Sequence, residues 1–150
     1  VECVARRRAL GETAVGKPCM DAACGNCSPT ASTSGGDGSL GNTDFRFDLF
    51  GAPGTSQGWF YVSLGSCTTG VQIPGFCGPV YPSLTSPFPV LIGVYALGGT
   101  AGNCDGKVSV NTGIPADPTL CKTKLCGQWV IVCPKSGAGL SNAVELVFGG

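Results

Sequence analysis

Ten cysteines and no histidine in a chain of 150 residues restrict both how this sequence can fold and what chemistry it can perform. An even number of cysteines in a short chain predicts a framework of disulfides, and disulfides persist in oxidising, extracytoplasmic compartments. Histidine is the commonest general base and metal ligand of proteins, so its absence removes the usual basis of a catalytic site. We therefore expect a disulfide-bonded protein that is not an enzyme.

The compartment that this pattern favours is extracellular or the cell surface. The chain begins at Val1 without an initiator methionine, which we interpret as the mature form of a secreted protein. Intracellular proteins of hyperthermophiles also keep disulfides and are the alternative. The longest apolar run, residues 90–97, is far shorter than a membrane span, so no membrane-spanning segment is predicted.

The charge of the chain gives no indication of a nucleic-acid partner. Nine basic and nine acidic residues cancel, and the one basic cluster is the short run Arg6, Arg7 and Arg8. Charged residues make up only 12% of the sequence, about half the usual share. Because a net charge near zero promotes association, we expect the partner of this chain to be itself, as a homo-oligomer or polymer.

Short apolar runs separated by glycine and proline turns predict an all-β fold. Residues 45–49 alternate apolar and polar side chains, as a half-buried strand requires. Gly51 to Gly54 are turn residues and are predicted to end that strand. Further strands are predicted at residues 59–64, 90–97, 107–110, 128–132 and 143–148, with residues 78–89 as a proline-rich connection. This pattern indicates a disulfide-reinforced antiparallel β-sandwich, immunoglobulin-like or jelly-roll-like, over residues 41–150.

Residues 1–40 differ from the rest and are predicted to form an N-terminal arm and a cysteine-rich cap. Four cysteines crowd into this region, and residues 28–38 are rich in serine, threonine and glycine, which predicts a loop or linker. Helical turns are predicted only within residues 1–15 and 118–126. The assembly arm is predicted to begin with Val1, Glu2, Cys3 and Val4.

All ten cysteines are predicted to form structural disulfides: Cys3, Cys19, Cys24, Cys27, Cys67, Cys77, Cys104, Cys121, Cys126 and Cys133. The spacing favours three pairs. Cys67–Cys77 would close a hairpin-like excursion, Cys121–Cys126 a small local loop, and Cys104–Cys133 would cross between sheets. The remaining four cysteines would then fasten the arm, and Cys3 is the candidate for a bond to a neighbouring molecule.

The motif Cys24-Gly25-Asn26-Cys27 is a C-x-x-C sequence, which can be redox-active or half of a zinc site. A redox motif needs a strand-to-helix setting that this sequence lacks. A zinc site needs a second knuckle, and Cys121 and Cys126 are poorly spaced to provide one. Structural disulfides are therefore the favoured interpretation.

No cofactor and no metal site is predicted from the acidic residues. Asp44 and Asp48 share one face of the first predicted strand and are interpreted as a solvated face. A calcium site is a weak alternative that matches no known ligand pattern. Its candidate residues are Asp37, Asp44, Asn103 and Asp105.

Three aromatic residues, Trp59, Tyr61 and Trp129, are candidates for a sugar-binding platform. Core packing is the more usual fate of aromatic residues within strands. The platform nevertheless supports an alternative function, a carbohydrate- or surface-binding module of the cell envelope with surface glycans as partners.

Short motifs after residue 40 resemble an uncharacterised secreted β-sandwich domain common in planctomycetes and related environmental bacteria. They occur in the same order as in that family and cover about the last 110 residues. They are Gly41-Asn42-x-x-Phe45, Leu49-x-Gly51-Ala52-Pro53, Leu64-Gly65, Ile114-Pro115-x-Asp117-Pro118-x-Leu120, Gly127-Gln128-Trp129 and Ser141-Asn142-Ala143. The resemblance implies a sandwich fold and secretion, with no assigned catalytic residues. This chain differs in carrying many more cysteines.

The sequence therefore predicts a secreted structural protein that assembles with itself into an extracellular filament or surface array. Low charge, extensive cross-linking and the separate arm favour this function over the binding module.

Overall fold

The computed structural model describes residues 12–85 and 90–149, which contain eleven strands. The predicted arm residues Val1, Glu2, Cys3 and Val4, and the Arg6–Arg8 cluster, lie outside the described residues. The strands are β1 (Thr13–Val15), β2 (Cys19–Met20), β3 (Thr30–Ser34), β4 (Arg46–Ala52), β5 (Gln57–Leu64), β6 (Val71–Gln72), β7 (Pro79–Val80), β8 (Val90–Ala96), β9 (Gly106–Asn111), β10 (Lys124–Val132) and β11 (Ala138–Val147). Short 3-10 turns occupy Ala22–Cys24 and Pro118–Leu120.

The strands form two facing sheets and one hairpin, all with antiparallel pairing. The large sheet has the order β1-β11-β10-β5-β8, and β2 also pairs with β11. The small sheet has the order β3-β4-β9, and β6 pairs with β7 alone. Together with the disulfides described below, this arrangement confirms the predicted disulfide-reinforced antiparallel β-sandwich.

Aromatic side chains fill the space between the two sheets. The ring of Phe47 on β4 lies 4.8 Å from Phe60 on β5, and Phe60 lies 4.6 Å from Trp129 on β10. Glycines make room for these rings, because a Cβ at Gly127 would come within 2.9 Å of the Phe60 ring. A Cβ at Gly58 would likewise come within 3.0 Å of Trp129. Large aromatic rings therefore pack directly against the backbone of glycine residues in the core of the sandwich.

The six strands predicted from the sequence are present as β4, β5, β8, β9, β10 and β11. The predicted end of the first of them is wrong, because β4 continues through Gly51 to Ala52. The pairing with β9 shifts between Leu49 and Ala52, and Gly51 has a φ of 73°. A glycine in this region of φ is typical of a β-bulge, so the turn-like residues bend the strand instead of ending it.

Residues 28–38, predicted as a loop or linker, contain strand β3 instead. Its serine and threonine side chains hid the pattern of a strand, but Ala31 is buried and joins the core. β3 pairs with β4 from Thr30↔Phe50 to Ser34↔Arg46, so backbone hydrogen bonds cross the boundary predicted between residues 40 and 41. The described part of residues 1–40 thus contributes strands to both sheets.

Four disulfides join described residues, and none of the three pairs favoured by spacing occurs. The pairs are Cys19–Cys77, Cys24–Cys133, Cys27–Cys104 and Cys67–Cys126. Cys121 is also disulfide-bonded, while Cys3 lies outside the described residues. The favoured pairs Cys67–Cys77, Cys121–Cys126 and Cys104–Cys133 are therefore wrong.

The reason for this error is that the disulfides join distant segments, with sequence separations of 58 to 109 residues. Cys126 is fully buried in the middle of the large sheet, where Cys67 reaches it from the segment that follows β5. Cys24 and Cys27 bond to different parts of the fold. Cys24 is bonded to Cys133 after the end of β10, and Cys27 to Cys104 in the loop before β9. The disulfides thus fasten the N-terminal region and the connections onto the sheets.

Candidate functional site

Strand β8 forms an open, apolar edge of the large sheet. It pairs with β5 on one side, and no other strand in the described part of the chain pairs with its other side. Backbone groups of alternate residues along that side point away from β5. Four large apolar side chains of this strand are exposed: Val90 by 52%, Leu91 by 41%, Ile92 by 43% and Val94 by 46%. A long, exposed, apolar edge is a template for pairing with another chain.

Two features that often protect a sheet edge, charged residues and proline, are absent from β8. Its seven residues, Val-Leu-Ile-Gly-Val-Tyr-Ala, include no charged residue and no proline. The other edges that the structure describes are different in character. β1 and β2, at the opposite edge of the large sheet, have three and two residues, and β3 is made of serine, threonine and alanine. β9 carries a lysine.

A bulge at Ile92 connects this edge to the end of the core. Phe60 pairs with Gly93 and Tyr61 with Leu91, so Ile92 has no partner on β5. Ile92 lines a cavity of about 200 Å³ at one end of the sandwich, together with Phe45 and Phe148. The exposed apolar surface of β8 therefore continues into an unfilled apolar space between the sheets.

A second apolar cavity lies on the outer face of the large sheet, beneath residues 67–84, which we call the covering segment. Its volume is about 390 Å³. Trp59 and Tyr61 of β5 and Val130 of β10 form part of its floor, and Ile73 and Phe76 contribute from the covering segment. These residues make the outer face apolar as well, which is unusual for a sheet whose other face is already packed on a core.

Two disulfides and a buried glutamine hold the covering segment in place. Cys67 is bonded to Cys126 of β10, and Cys77 to Cys19 of β2. The Gln128 side chain accepts a hydrogen bond from the Tyr81 N–H at 3.0 Å and donates one to the Ser141 carbonyl at 2.9 Å. The cavity is thus roofed by a segment that is covalently attached at two points.

The predicted aromatic platform is only partly assembled. Trp59 and Tyr61 share the outer face and line the larger cavity, but Trp129 is fully buried on the inner face. Trp129 pairs with Phe60, the residue between Trp59 and Tyr61, and neighbours along a strand point to opposite faces. The three-residue platform is therefore wrong, and the alternation of side chains along paired strands is the signal that separates its members.

The acidic residues singled out in the sequence do not form a common site. Asp48 accepts a hydrogen bond from the Ser109 hydroxyl on the small sheet. Asp37 accepts from the backbone N–H of Ser39, and Asp105 accepts from that of Thr100 in a different loop. Within residues 12–85 and 90–149, no group of three or more histidine, cysteine, aspartate or glutamate residues is arranged to hold a metal ion.

One carboxyl group has a perturbed pKa at the beginning of the described chain. Partial burial raises the pKa of Glu12, and the nearby charge of Asp48 adds to this effect. Hydrogen bonds from the side chain and backbone of Thr33 oppose it by favouring the charged form. Glu12, which directly precedes β1, is therefore hydrogen-bonded to strand β3.

Comparisons with protein-family models, with curated proteins and with solved structures found no match. The resemblance to the planctomycete domain therefore stays a prediction. Among the described residues, no helix is long and apolar enough to cross a membrane. The disulfides indicate an oxidising environment.

Proposed function

We propose that this chain is a secreted structural protein that assembles with copies of itself into an extracellular filament or surface array. The observation that carries the proposal is the open edge of β8, a seven-residue strand with four exposed large apolar side chains. Adding a strand to such an edge forms main-chain hydrogen bonds and removes apolar side chains from water. In a monomer, the outward backbone groups of β8 would lack protein hydrogen-bond partners and its apolar side chains would stay in water.

The N-terminal arm is the proposed donor of that strand. β1, the first described strand after the arm, lies at the edge of the large sheet opposite β8. β1 and β8 are separated by four strand spacings, which is about 19 Å. Residues 1–11 alone span about 40 Å when extended, which is enough to reach a neighbouring copy.

A contact between opposite edges would repeat. Each copy would offer an arm at one edge and an open strand at the other, so the two surfaces in the contact differ. Such head-to-tail interfaces build rings or open filaments instead of closed dimers. This geometry supports a filament or array over a simple dimer.

Truncation of the arm tests its role as donor. A variant lacking residues 1–11 keeps β1 and the four disulfides that join pairs of described residues. We expect it to remain folded and to lose assembly, as seen by electron microscopy and light scattering. Because the truncation removes Cys3 and leaves an odd number of cysteines, the full-length Cys3→Ser variant is the matched control. Assembly of the truncated protein at the level of this control would contradict arm docking.

A further inference from the structure

We propose that the cavity beneath the covering segment binds a neutral, apolar small molecule with one to three fused or linked rings. This inference does not depend on self-assembly, because the cavity lies on the outer face of the sheet and β8 contributes no residue to its lining. Its volume of about 390 Å³ falls within the range typical of small-molecule sites.

The lining selects for an apolar ligand. Trp59, Tyr61, Phe76, Val130 and Leu140 present aromatic and aliphatic surfaces to the space. No residue of the lining carries a charge, so an ionised ligand would lose its hydration without gaining a partner. The flat faces of Trp59 and Tyr61, two residues apart on the same side of β5, favour a ligand that contains a ring.

The one amide group in the lining is already occupied. Gln128 accepts from the Tyr81 N–H and donates to the carbonyls of Ser141 and Pro79. A sugar needs several free donors and acceptors to replace its contacts with water, and this amide has no free N–H left to donate. The chemistry of the cavity therefore favours an apolar ligand over the glycan that Trp59 suggested in the sequence.

The covering segment is held over the cavity by covalent bonds. Cys67–Cys126 and Cys19–Cys77 attach the covering segment to β10 and β2. Beyond Cys77, the Gln128 side chain adds hydrogen bonds to Pro79 and Tyr81. The cavity is open to solvent on one side, so an apolar molecule can enter and displace water from its apolar walls. Little ordering is then required on binding.

Titration with N-phenyl-1-naphthylamine, a neutral and apolar fluorescent probe, tests the proposal. We expect saturable binding at one site per chain, with enhanced probe emission and quenching of tryptophan fluorescence. Trp59→Phe should reduce the quenching to the part that comes from Trp129 and keep the affinity within about threefold. Ala138→Phe, which places a ring into the cavity from the start of β11, should weaken binding at least about tenfold, a change of about 1.4 kcal/mol.

Two control variants locate the bound probe. Ala101→Phe adds the same ring at an exposed turn away from the cavity and should leave binding unchanged. Ile92→Lys disrupts the other apolar surface, the β8 edge, and should also leave it unchanged. Absence of saturable binding would overturn the proposal, as would full affinity in Ala138→Phe or loss of binding in Ile92→Lys. Displacement of the probe by a chitin oligosaccharide would contradict the apolar class of ligand.

Discussion

Asn142 of β11 and Ala31 of β3 are joined by two hydrogen bonds that connect the two sheets. The Ala31 N–H donates to Asn142 Oδ1 at 2.9 Å, and Asn142 Nδ2 donates to the Ala31 carbonyl at 3.1 Å. Asn142 is only 5% exposed. One side chain thus satisfies both backbone groups of a residue on the edge of the small sheet, and it anchors β3, the strand that the sequence did not indicate.

Replacing Asn142 with alanine should lower the free energy of unfolding by about 2–4 kcal/mol, because it leaves a buried N–H and a buried carbonyl without partners. Denaturant unfolding with the disulfides intact measures this change. The matched control is Asn111→Ala at the exposed end of β9, which should change stability by less than about 0.5 kcal/mol. Equal effects of the two substitutions would contradict the proposed role of Asn142.

The strands that carry alternating apolar residues were predictable because burial on one face leaves a period of two in the sequence. β3 was not, since its register depends on β4 and on Asn142, which is 111 residues from Ala31. The pairing of the cysteines was predicted wrongly for a related reason. Cys67 and Cys77 are neighbours in sequence, but each bonds to a different strand of the sheet beneath them. The apolar character of β8 was visible in the sequence, whereas its position at an edge follows only from strand order.

The disulfide pairing predicts which peptides remain linked after proteolysis without reduction. Mass spectrometry should find Cys67 linked to Cys126 and Cys19 linked to Cys77. The double variant Cys67→Ala, Cys126→Ala should lose about 4 kcal/mol of stability, because that bond closes a loop of 59 residues. A linked peptide that contains Cys67 and Cys77 would show that the covering segment is closed on itself and is not attached to the sheet.

Replacing each of the two tryptophans with alanine should lower the stability of the protein by very different amounts. Trp129 is fully buried and contacts the rings of Phe60 and Tyr95, so Trp129→Ala should destabilise the protein by about 3–5 kcal/mol. Trp59 is half-buried over the outer-face cavity, and Trp59→Ala should cost less than half as much. Thermal unfolding of both variants provides the comparison, and similar midpoints would argue against the assigned faces.

The raised pKa of Glu12 predicts a small pH dependence. A carboxyl group whose pKa is raised by folding binds its proton more readily in the folded state. Its favourable contribution is present below the unfolded pKa, near 4.5, and is lost as the pH rises through the folded value. Glu12→Gln should therefore raise the melting midpoint at pH 7, by no more than about 2 °C, and have little effect at pH 3. A larger gain at pH 3 than at pH 7 would contradict the assigned cause.

The most direct test of self-assembly is the size of the native particle, without reducing agent, in the wild type and in Ile92→Lys. Ile92 lines the cavity at the end of the sandwich but is 43% exposed, so a lysine there can extend its ammonium group to water while its charge blocks an added strand. Val71→Lys, at an equally exposed apolar position on β6, is the matched control. By light scattering, we expect large particles for the wild type and Val71→Lys and a monomer for Ile92→Lys. A strictly monomeric wild type, or Ile92→Lys particles as large as those of the control, would contradict assembly through β8.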